Sequence, residues 1–431
     1  MARILAYTTP ARGHLYPLVP ILDELHSRGH RVALRTLGSQ VPAMRERGFD
    51  AGPISERIEA IAHDDWRAGN PRAALARGVQ IFTQRAEHDA ADLRQAIDHE
   101  RPDVLLVDVN AWGALGVAEA WGGPWATFCP YPLPLRSRDA PPFGPGLPPA
   151  HGPLGRLRDR LLRPLVFGTL ERTMTPPINH LRSQLGLTPL GGADDLFRQT
   201  PLLVYLTAEP FEYPRRDWPS NVVLVGPCDW DPPSDPPSWL QDLDQPIVLV
   251  TTSSEFQNDA RLVDVALEAL ADDPVTVVAT LPAGDPAARR APANAYVERF
   301  VPHGPVLERA ACAITHAGMG ATQKALAHGV PVCAVPFGRD QLEVARRVEV
   351  AGAGTRLPAK RLRPDRLRAK VHEAIQMREG AKRIQQAFAE AGGPPVAADA
   401  IEARLLDHHP ADTLAAPGSA PTADGGVDGR R

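Results

Sequence analysis

Two groups of residues in this 431-residue chain have types and spacings that suit chemistry, and the first is a turn at 315–320. The turn has the sequence Thr-His-Ala-Gly-Met-Gly, and it lies between an apolar run at 311–314 and a helical pattern over 321–328. Such a helix start offers unpaired backbone N–H groups and the positive end of the helix dipole, so it can bind an anion such as phosphate. His316 could donate to an oxygen of that anion. The alternative is an ordinary βα turn, because Gly-x-Gly alone is a weak signal.

The second group is a histidine–aspartate pair, His14 and Asp108, and each residue follows the predicted end of a buried strand. In open α/β sheets ligands bind beyond the C-terminal ends of the strands, so both side chains should reach one crevice. A neutral histidine can take a proton near pH 7, and a carboxylate on its other ring nitrogen fixes the tautomer. The pair could therefore activate a hydroxyl group. Taken singly, His14 could be a helix cap or a solvent-facing residue, and Asp108 could cap the next helix.

A strand–helix–strand pattern positions each group. Near the N-terminus an apolar strand over 3–9 precedes an amphipathic helix over 17–28 and a second strand over 31–36. A comparable set of strands and helices starts with the strand at 247–251. This alternation is typical of doubly wound parallel sheets, so the sequence predicts an α/β fold with two Rossmann-like domains.

Proline marks the boundary between the two predicted domains. The segment 227–246 contains Asp-Pro-Pro-Ser-Asp-Pro-Pro, and such X-Pro runs favour an extended, semi-rigid linker. The predicted organisation is an N-terminal domain at 1–226, a C-terminal domain at 247–394, a helix at 395–409 and a disordered tail at 410–431.

Composition and charge bear on the partners and the cell compartment of the protein. The net charge of −4 gives no indication of nucleic acid or an anionic membrane as a partner, and no apolar run approaches the ~20 residues of a membrane span. The four cysteines are scattered and no signal peptide is evident, so we expect a cytoplasmic protein. One Asp-x-Asp pattern, Asp242 to Asp244, matches metal-binding motifs, but it precedes a strand and is interpreted as surface charge, so no metal site is predicted.

The longer stretch 300–341 resembles the donor-sugar signature of UDP/dTDP-sugar glycosyltransferases of the actinobacterial natural-product, macrolide type. It contains Thr-His-x-Gly-x-Gly, then Gly-Val-Pro, then Pro-x-x-x-Asp-Gln in that family's order and spacing. The segment Gly13 to Pro17 is similar to the family's catalytic-base motif, and Asp108 matches the partner of that base. The resemblance implies a GT-B fold, in which two Rossmann-like domains face a cleft. It also implies inversion at the anomeric carbon without a metal or cofactor, with a UDP- or dTDP-sugar as the donor substrate.

The resemblance also implies roles for individual residues. Phe300 and Val301 would lie against the nucleotide base, and Asp340 and Gln341 would bind the sugar hydroxyls. The residues that would hold the diphosphate are Ser253, Ser254, His316, Gly318, Met319, Gly320 and Thr322. Many members carry a glutamate for the ribose hydroxyls where this chain has Lys324. That lysine could reach back toward the diphosphate or point to solvent.

The N-terminal domain would hold the acceptor, and the helix at 395–409 would cross back onto this domain. A long loop over 131–165, rich in proline and glycine, is expected to cover the crevice. Trp112, Phe128, Tyr131 and Phe143 could line a site for a hydrophobic small molecule, or they could simply pack the core. The alternatives to a hexosyltransferase are a sugar-nucleotide epimerase and an inactive homologue that activates a partner. A homodimer is also an open expectation.

Overall fold

Two parallel sheets organise the chain in the computed structural model, which describes residues 1–407. The first sheet contains β1 Arg3–Tyr7, β2 Arg31–Thr36, β3 Asp50–Pro53, β4 Val104–Asp108, β5 Trp125–Cys129, β6 Leu203–Tyr205 and β7 Val222–Leu224. The second contains β8 Ile247–Thr251, β9 Thr276–Thr280, β10 Ala295–Glu298, β11 Ala310–Thr315, β12 Val332–Ala334 and β13 Gly354–Arg356. The predicted architecture, with two doubly wound α/β domains, is confirmed.

The strand order places the site. The first sheet has the order β3-β2-β1-β4-β5-β6-β7 and the second has the order β10-β9-β8-β11-β12-β13. In each sheet the connections change direction between two central neighbours, β1 and β4 in the first and β8 and β11 in the second. Ligands of open sheets bind at such a switch point, beyond the carboxyl ends of the strands. The loops after these four strands are therefore the ones that can form a site.

Helices cover both faces of the sheets, which is why the central strands are continuous apolar runs that are buried throughout. In the N-terminal domain they are α1 Arg12–Ser27, α2 Val41–Glu46, α3 Glu56–Glu59, α4 Pro71–Glu100, α5 Trp112–Trp121, α6 Gly152–Gln184 and α7 Asp195–Arg198. In the C-terminal part they are α8 Arg261–Ala269, α9 His303–Leu307, α10 Met319–Ala327, α11 Gln341–Val350, α12 Pro364–Ile375, α13 Arg378–Glu390 and α14 Gly393–Ile401. None of the helices within residues 1–407 is long and apolar enough to cross a membrane.

Two helices begin earlier than the sequence predicts. The first, α1, starts at Arg12, so His14 lies in its first turn rather than in the turn before it. The sixth, α6, starts at Gly152, so the second half of the predicted loop is helical. Pro153 lies in its first turn, where a missing N–H is tolerated, and leucine and arginine, both good helix formers, follow.

The end of the described chain packs on the N-terminal domain. Ala397, Ile401 and Leu405 belong to the same hydrophobic core as residues of α1 and β1. Arg28, the C-cap residue of α1, forms salt bridges of 2.6 Å with both Asp399 and Glu402. The predicted tail at 410–431 lies outside the described residues.

Candidate active site

One large cavity lies between the two domains, at the carboxyl ends of both sheets. Its volume is about 1280 Å³, and residues of both domains line it. The predicted site residues that line it are His14, Trp112, Tyr131, Phe143, Ser253, Ser254, Phe300, His316, Gly318, Met319, Gly320, Asp340 and Gln341. The tertiary structure therefore brings residues that are more than 300 positions apart in sequence into one space.

On the N-terminal side His14 and Asp108 form the predicted pair. The Nδ1 atom of His14 lies 2.9 and 3.0 Å from the two carboxylate oxygens of Asp108, which is completely buried. Asp108 also accepts hydrogen bonds from the backbone N–H groups of Thr9 and Asn110 at 3.1 and 2.9 Å. These bonds fix the carboxylate, which in turn fixes the imidazole ring. Because Nδ1 faces Asp108, Nε2 is the nitrogen left for proton transfer.

A second hydrogen-bonded pair positions the free nitrogen of His14. Tyr131 donates from its hydroxyl to Oδ1 of Asn110 at 2.9 Å, which leaves Nδ2 of Asn110 facing Nε2 of His14 at 3.4 Å. An amide N–H next to Nε2 requires that nitrogen to be an acceptor, so the contact favours the neutral, Nδ1-protonated tautomer. Burial lowers the pKa of His14, but the charge and hydrogen bond of Asp108 outweigh it, so the net pKa is raised.

On the C-terminal side the turn at 315–320 leads into the start of α10, as the sequence predicts. Gly318 is the N-cap residue, no side chain caps the helix, and the first backbone N–H groups are left for a ligand. A Cβ atom at Gly318 would lie 2.3 Å from Nε2 of His316, so the imidazole can pack here only against a glycine. A Cβ atom at Gly320 would meet nothing within 4 Å, which leaves that part of the cavity open. Burial lowers the pKa of His316, so the ring is neutral near pH 7.

The remaining donor-side residues hold one another in place. The amide of Gln341 accepts hydrogen bonds from the backbone of Phe337 and Gly338 at 2.8 and 3.0 Å and donates to Gln257 at 2.8 Å. Asp340 is the N-cap residue of α11, and its burial raises the pKa of its carboxyl group. Gln341 thus shapes the turn that presents Asp340 to the cavity, and its own hydrogen-bonding groups are engaged by the protein.

Comparison with known proteins places this site in a family. Residues 264–403 match the family described as erythromycin biosynthesis protein CIII-like, C-terminal domain. The 4'-demethylrebeccamycin synthase of Lentzea aerocolonigenes is 34% identical over 419 residues, which are 93% of this chain and 99% of that protein. The chain belongs to the natural-product glycosyltransferases. The PGL/p-HBAD biosynthesis glycosyltransferase of Mycobacterium tuberculosis is 35% identical over 243 residues, 53% of each chain.

Solved structures support the same fold for this glycosyltransferase. The calicheamicin glycosyltransferase CalG4 superposes with a TM-score of 0.73 at 24% identity and covers 95% of this chain and 100% of its own. The glycosyltransferase VinC, solved in complex with DTDP, superposes with a TM-score of 0.64 at 22% identity over 93% of this chain and 99% of its own. These similarities establish the GT-B fold.

Three residues predicted to contact a ligand do not line the cavity of the glycosyltransferase. Phe128, in β5, and Val301, in the loop between β10 and α9, are completely buried in hydrophobic cores. Thr322 is also completely buried, and its hydroxyl lies 3.2 Å from that of Thr315. Its neighbour Ala321 faces the cavity instead. Successive helix positions differ by about 100°, so one residue can face the cavity while the next residue faces the core.

The predicted solvent-facing orientation of Lys324 is wrong, because the residue is 9% exposed and lines the cavity. Its ammonium group lies 2.7 Å from Asp229 and 2.6 Å from Asp231, and it donates to the carbonyl of Trp230 at 3.0 Å. These partners belong to the linker, and Asp231 accepts a further bond from the N–H of Gly304 at 2.9 Å. Lys324 therefore anchors the linker to α10, and the carboxylates it holds line the cavity.

Several polar residues of the cavity wall belong to no sequence motif. Asn110 follows Asp108 by two positions but has no motif of its own. Asp65 of the N-terminal domain forms a salt bridge of 2.7 Å with Arg339 of the C-terminal domain, so the role of each residue depends on a partner that is remote in sequence. Arg85 lines the N-terminal side of the cavity. A helical-face analysis of α4 would have placed it in line with the apolar residues Leu75 and Phe82.

Proposed function

We propose that this glycosyltransferase transfers a hexosyl group, with inversion, from a UDP- or dTDP-sugar to a hydroxyl of a hydrophobic small molecule. The observation that supports this proposal is the opposition of two features across one cavity. The His14–Asp108 pair offers a base on the N-terminal side, and the open start of α10 offers an anion site on the C-terminal side. A base and a leaving-group site on opposite sides of a bound sugar suit displacement from the face opposite the diphosphate.

In the proposed reaction His14 takes the proton of the acceptor hydroxyl at Nε2, while Asp108 stabilises the imidazolium that forms. The acceptor oxygen bonds to the anomeric carbon as the bond from that carbon to the diphosphate oxygen breaks. The backbone N–H groups and dipole of α10 stabilise the charge that develops on the diphosphate. Within residues 1–407 no group of three histidine, cysteine, aspartate or glutamate side chains is arranged to hold a metal ion. We propose that helix α10 stabilises the leaving diphosphate without a metal or cofactor.

The lining of the cavity supports an apolar acceptor. Trp112 and Phe82 lie with their ring centroids 5.3 Å apart, and Phe143 adds a third ring from the loop between β5 and α6, residues 130–151, which we call the acceptor loop. The relative from Lentzea aerocolonigenes is named as a demethylrebeccamycin synthase and VinC was solved with DTDP, which supports a natural-product acceptor and a nucleotide-activated donor. The four buried free cysteines suit the cytoplasm, where we place the reaction.

The proposal is tested by His14→Ala, assayed with nucleotide sugars and a panel of hydrophobic alcohols. We expect turnover to fall by about 100-fold or more, since that is the low end for loss of a general base. Binding of UDP or dTDP, measured by isothermal titration, should stay nearly unchanged, because His14 lies on the opposite side of the cavity from α10. Product analysis should show inverted anomeric configuration, and EDTA should leave the rate unchanged. Near-normal turnover of the variant, or a rate that EDTA abolishes and magnesium restores, would contradict the proposal.

A further inference from the structure

The acceptor side of the cavity contains a buried cation that forms no salt bridge within residues 1–407. One face of α4 lines this side with the side chains of Leu75, Val79, Phe82 and Arg85, at helical spacing. Arg85 is the charged residue in this apolar row, and only 6% of it is exposed. A charge in such a place is costly unless something pairs with it.

The protein satisfies this guanidinium only in part. Nη2 of Arg85 donates to the carbonyl of Ile61, while Nε is buried without a hydrogen-bond partner within residues 1–407. No carboxylate in that part of the chain forms a salt bridge with it. The two acidic residues that act on it through space are Glu255 and Asp89.

Neither acidic residue pairs directly with Arg85. Glu255 lies 3.8 Å from Arg339, which also forms a salt bridge of 2.7 Å with Asp65. Asp89 is 2% exposed, and burial raises the pKa of its carboxyl group well above the ordinary range, while the charge of Arg85 lowers it to a smaller extent. Arg85 therefore lacks a salt-bridge partner within residues 1–407, and it lines the same cavity as Phe82 and Trp112.

We propose that Arg85 binds an anionic oxygen group, a carboxylate or phenolate, on an aromatic acceptor and so selects acceptors that carry one. A guanidinium donates two parallel hydrogen bonds to a carboxylate, and such charge-assisted bonds are strong in a low-dielectric site. The apolar residues of α4 and Trp112 would hold the ring system, while Arg85 sets its orientation. This inference rests on the proposed function, because it assumes that the apolar side of the cavity holds the acceptor.

The experiment measures binding without donor, so it is independent of turnover. The full-length chain is titrated with anthracene-2-carboxylate, with 2-hydroxyanthracene above and below the pKa of its phenol, and with neutral 2-(hydroxymethyl)anthracene, by isothermal titration. We expect the wild-type protein to bind the carboxylate at least about tenfold more tightly than the hydroxymethyl compound. Arg85→Met should reduce this preference to within about twofold, and Arg85→Lys should retain part of it. The control is Arg72→Met, an exposed arginine that lines the same cavity from the start of α4 and should keep the preference.

Several results would overturn the inference. The first is equal binding of the carboxylate and the hydroxymethyl compound by the wild-type protein, a result that is decisive without any variant. Another is an equal loss of preference in Arg72→Met, which would indicate a general electrostatic attraction. A third is a tenfold or greater loss of UDP or dTDP binding in Arg85→Met, which would assign Arg85 to the donor. If anion-selective binding is present but no acceptor is glycosylated, the proposed function fails while the anion site stands.

Discussion

At the scale of single residues, the chemistry that we propose for this glycosyltransferase depends on a short series of hydrogen bonds. Asp108 orients one nitrogen of His14 at 2.9 Å, and the amide of Asn110, itself held by Tyr131, faces the other at 3.4 Å. The first contact favours the protonated ring and the second favours the neutral tautomer with a free Nε2. A base that must accept a proton and then hold it as imidazolium benefits from both.

This arrangement predicts the pH dependence of the reaction. His14 must be neutral to act as a base, and its pKa is raised above the ordinary 6.5, so kcat/KM should fall as the pH drops through that raised value. Asp108→Asn removes the charge that raises the pKa, so the acidic limb should move to lower pH while the maximum rate falls about 100-fold or more. The measurement is a pH profile of kcat/KM for both proteins. The exposed Asp98→Asn serves as a control that should leave the profile unchanged, and an unshifted acidic limb in Asp108→Asn would argue against His14 as the titrating group.

At the scale of elements, the acceptor loop is held by a helix of the other domain. One carboxylate oxygen of Glu343, on α11, accepts from the N–H groups of Gly144 and Gly146 at 2.7 and 2.8 Å. Gly146 has φ of +61°, and a Cβ atom there would lie 2.4 Å from the carbonyl oxygen of Leu342, so a glycine is required for this contact. Phe143, next to the first of these glycines, lines the cavity. The helix that begins just after Asp340 therefore positions an aromatic residue of the acceptor side.

We expect Glu343→Gln to weaken acceptor binding selectively. The neutral amide loses the charge assistance of two hydrogen bonds, which corresponds to about tenfold in the KM for the acceptor. The dissociation constant for UDP or dTDP should change by less than about twofold, because the α10 start is untouched. Steady-state kinetics with each substrate varied in turn, together with titration of the nucleotide, would measure both. Glu349→Gln on the same helix is the control, and equal losses for donor and acceptor in Glu343→Gln would contradict a role specific to the loop.

At the scale of the whole molecule, a buried ion pair joins the two domains away from the cavity lining. Arg347 of α11 lies 2.9 Å from Glu212, which follows β6, and both side chains are at most 2% exposed. Burial raises the pKa of Glu212, but the charges of Arg347 and Arg215 lower it by more. The net pKa is about 2, compared with an ordinary 4.5. A carboxylate with a depressed pKa stabilises the folded protein above the unfolded pKa, and this contribution is lost as the pH falls from about 4.5 to about 2.

This ion pair leads to a prediction about the stability of the protein and its dependence on pH. Glu212→Gln should lower the free energy of unfolding at pH 7 by about 3 kcal/mol, since it leaves Arg347 buried without this partner. It should also flatten the loss of stability between pH 4.5 and pH 2 and separate the unfolding of the two domains. Calorimetry and denaturant titration across that pH range would measure these effects. Glu379→Gln, on the surface beside Lys382, should change stability by less than about 1 kcal/mol. An unchanged pH dependence in Glu212→Gln would show that other carboxylates control acid unfolding.

The sequence by itself determined the features that are local. Strands, glycine turns and helix starts depend on neighbouring residues, so the α/β class, the phosphate-type turn at His316–Gly320 and the strand-end positions of His14 and Asp108 were predictable. Only the tertiary structure decided which side chains meet. Lys324 is engaged by the carbonyl of Trp230, 94 positions away, and Glu343 holds a loop 199 positions away. Phe128 and Thr322 turned inward because one step along a strand or helix changes the face, and Val301, in the loop before α9, is buried in a hydrophobic core. Local propensity carries no information about such partners, since packing of remote segments selects them.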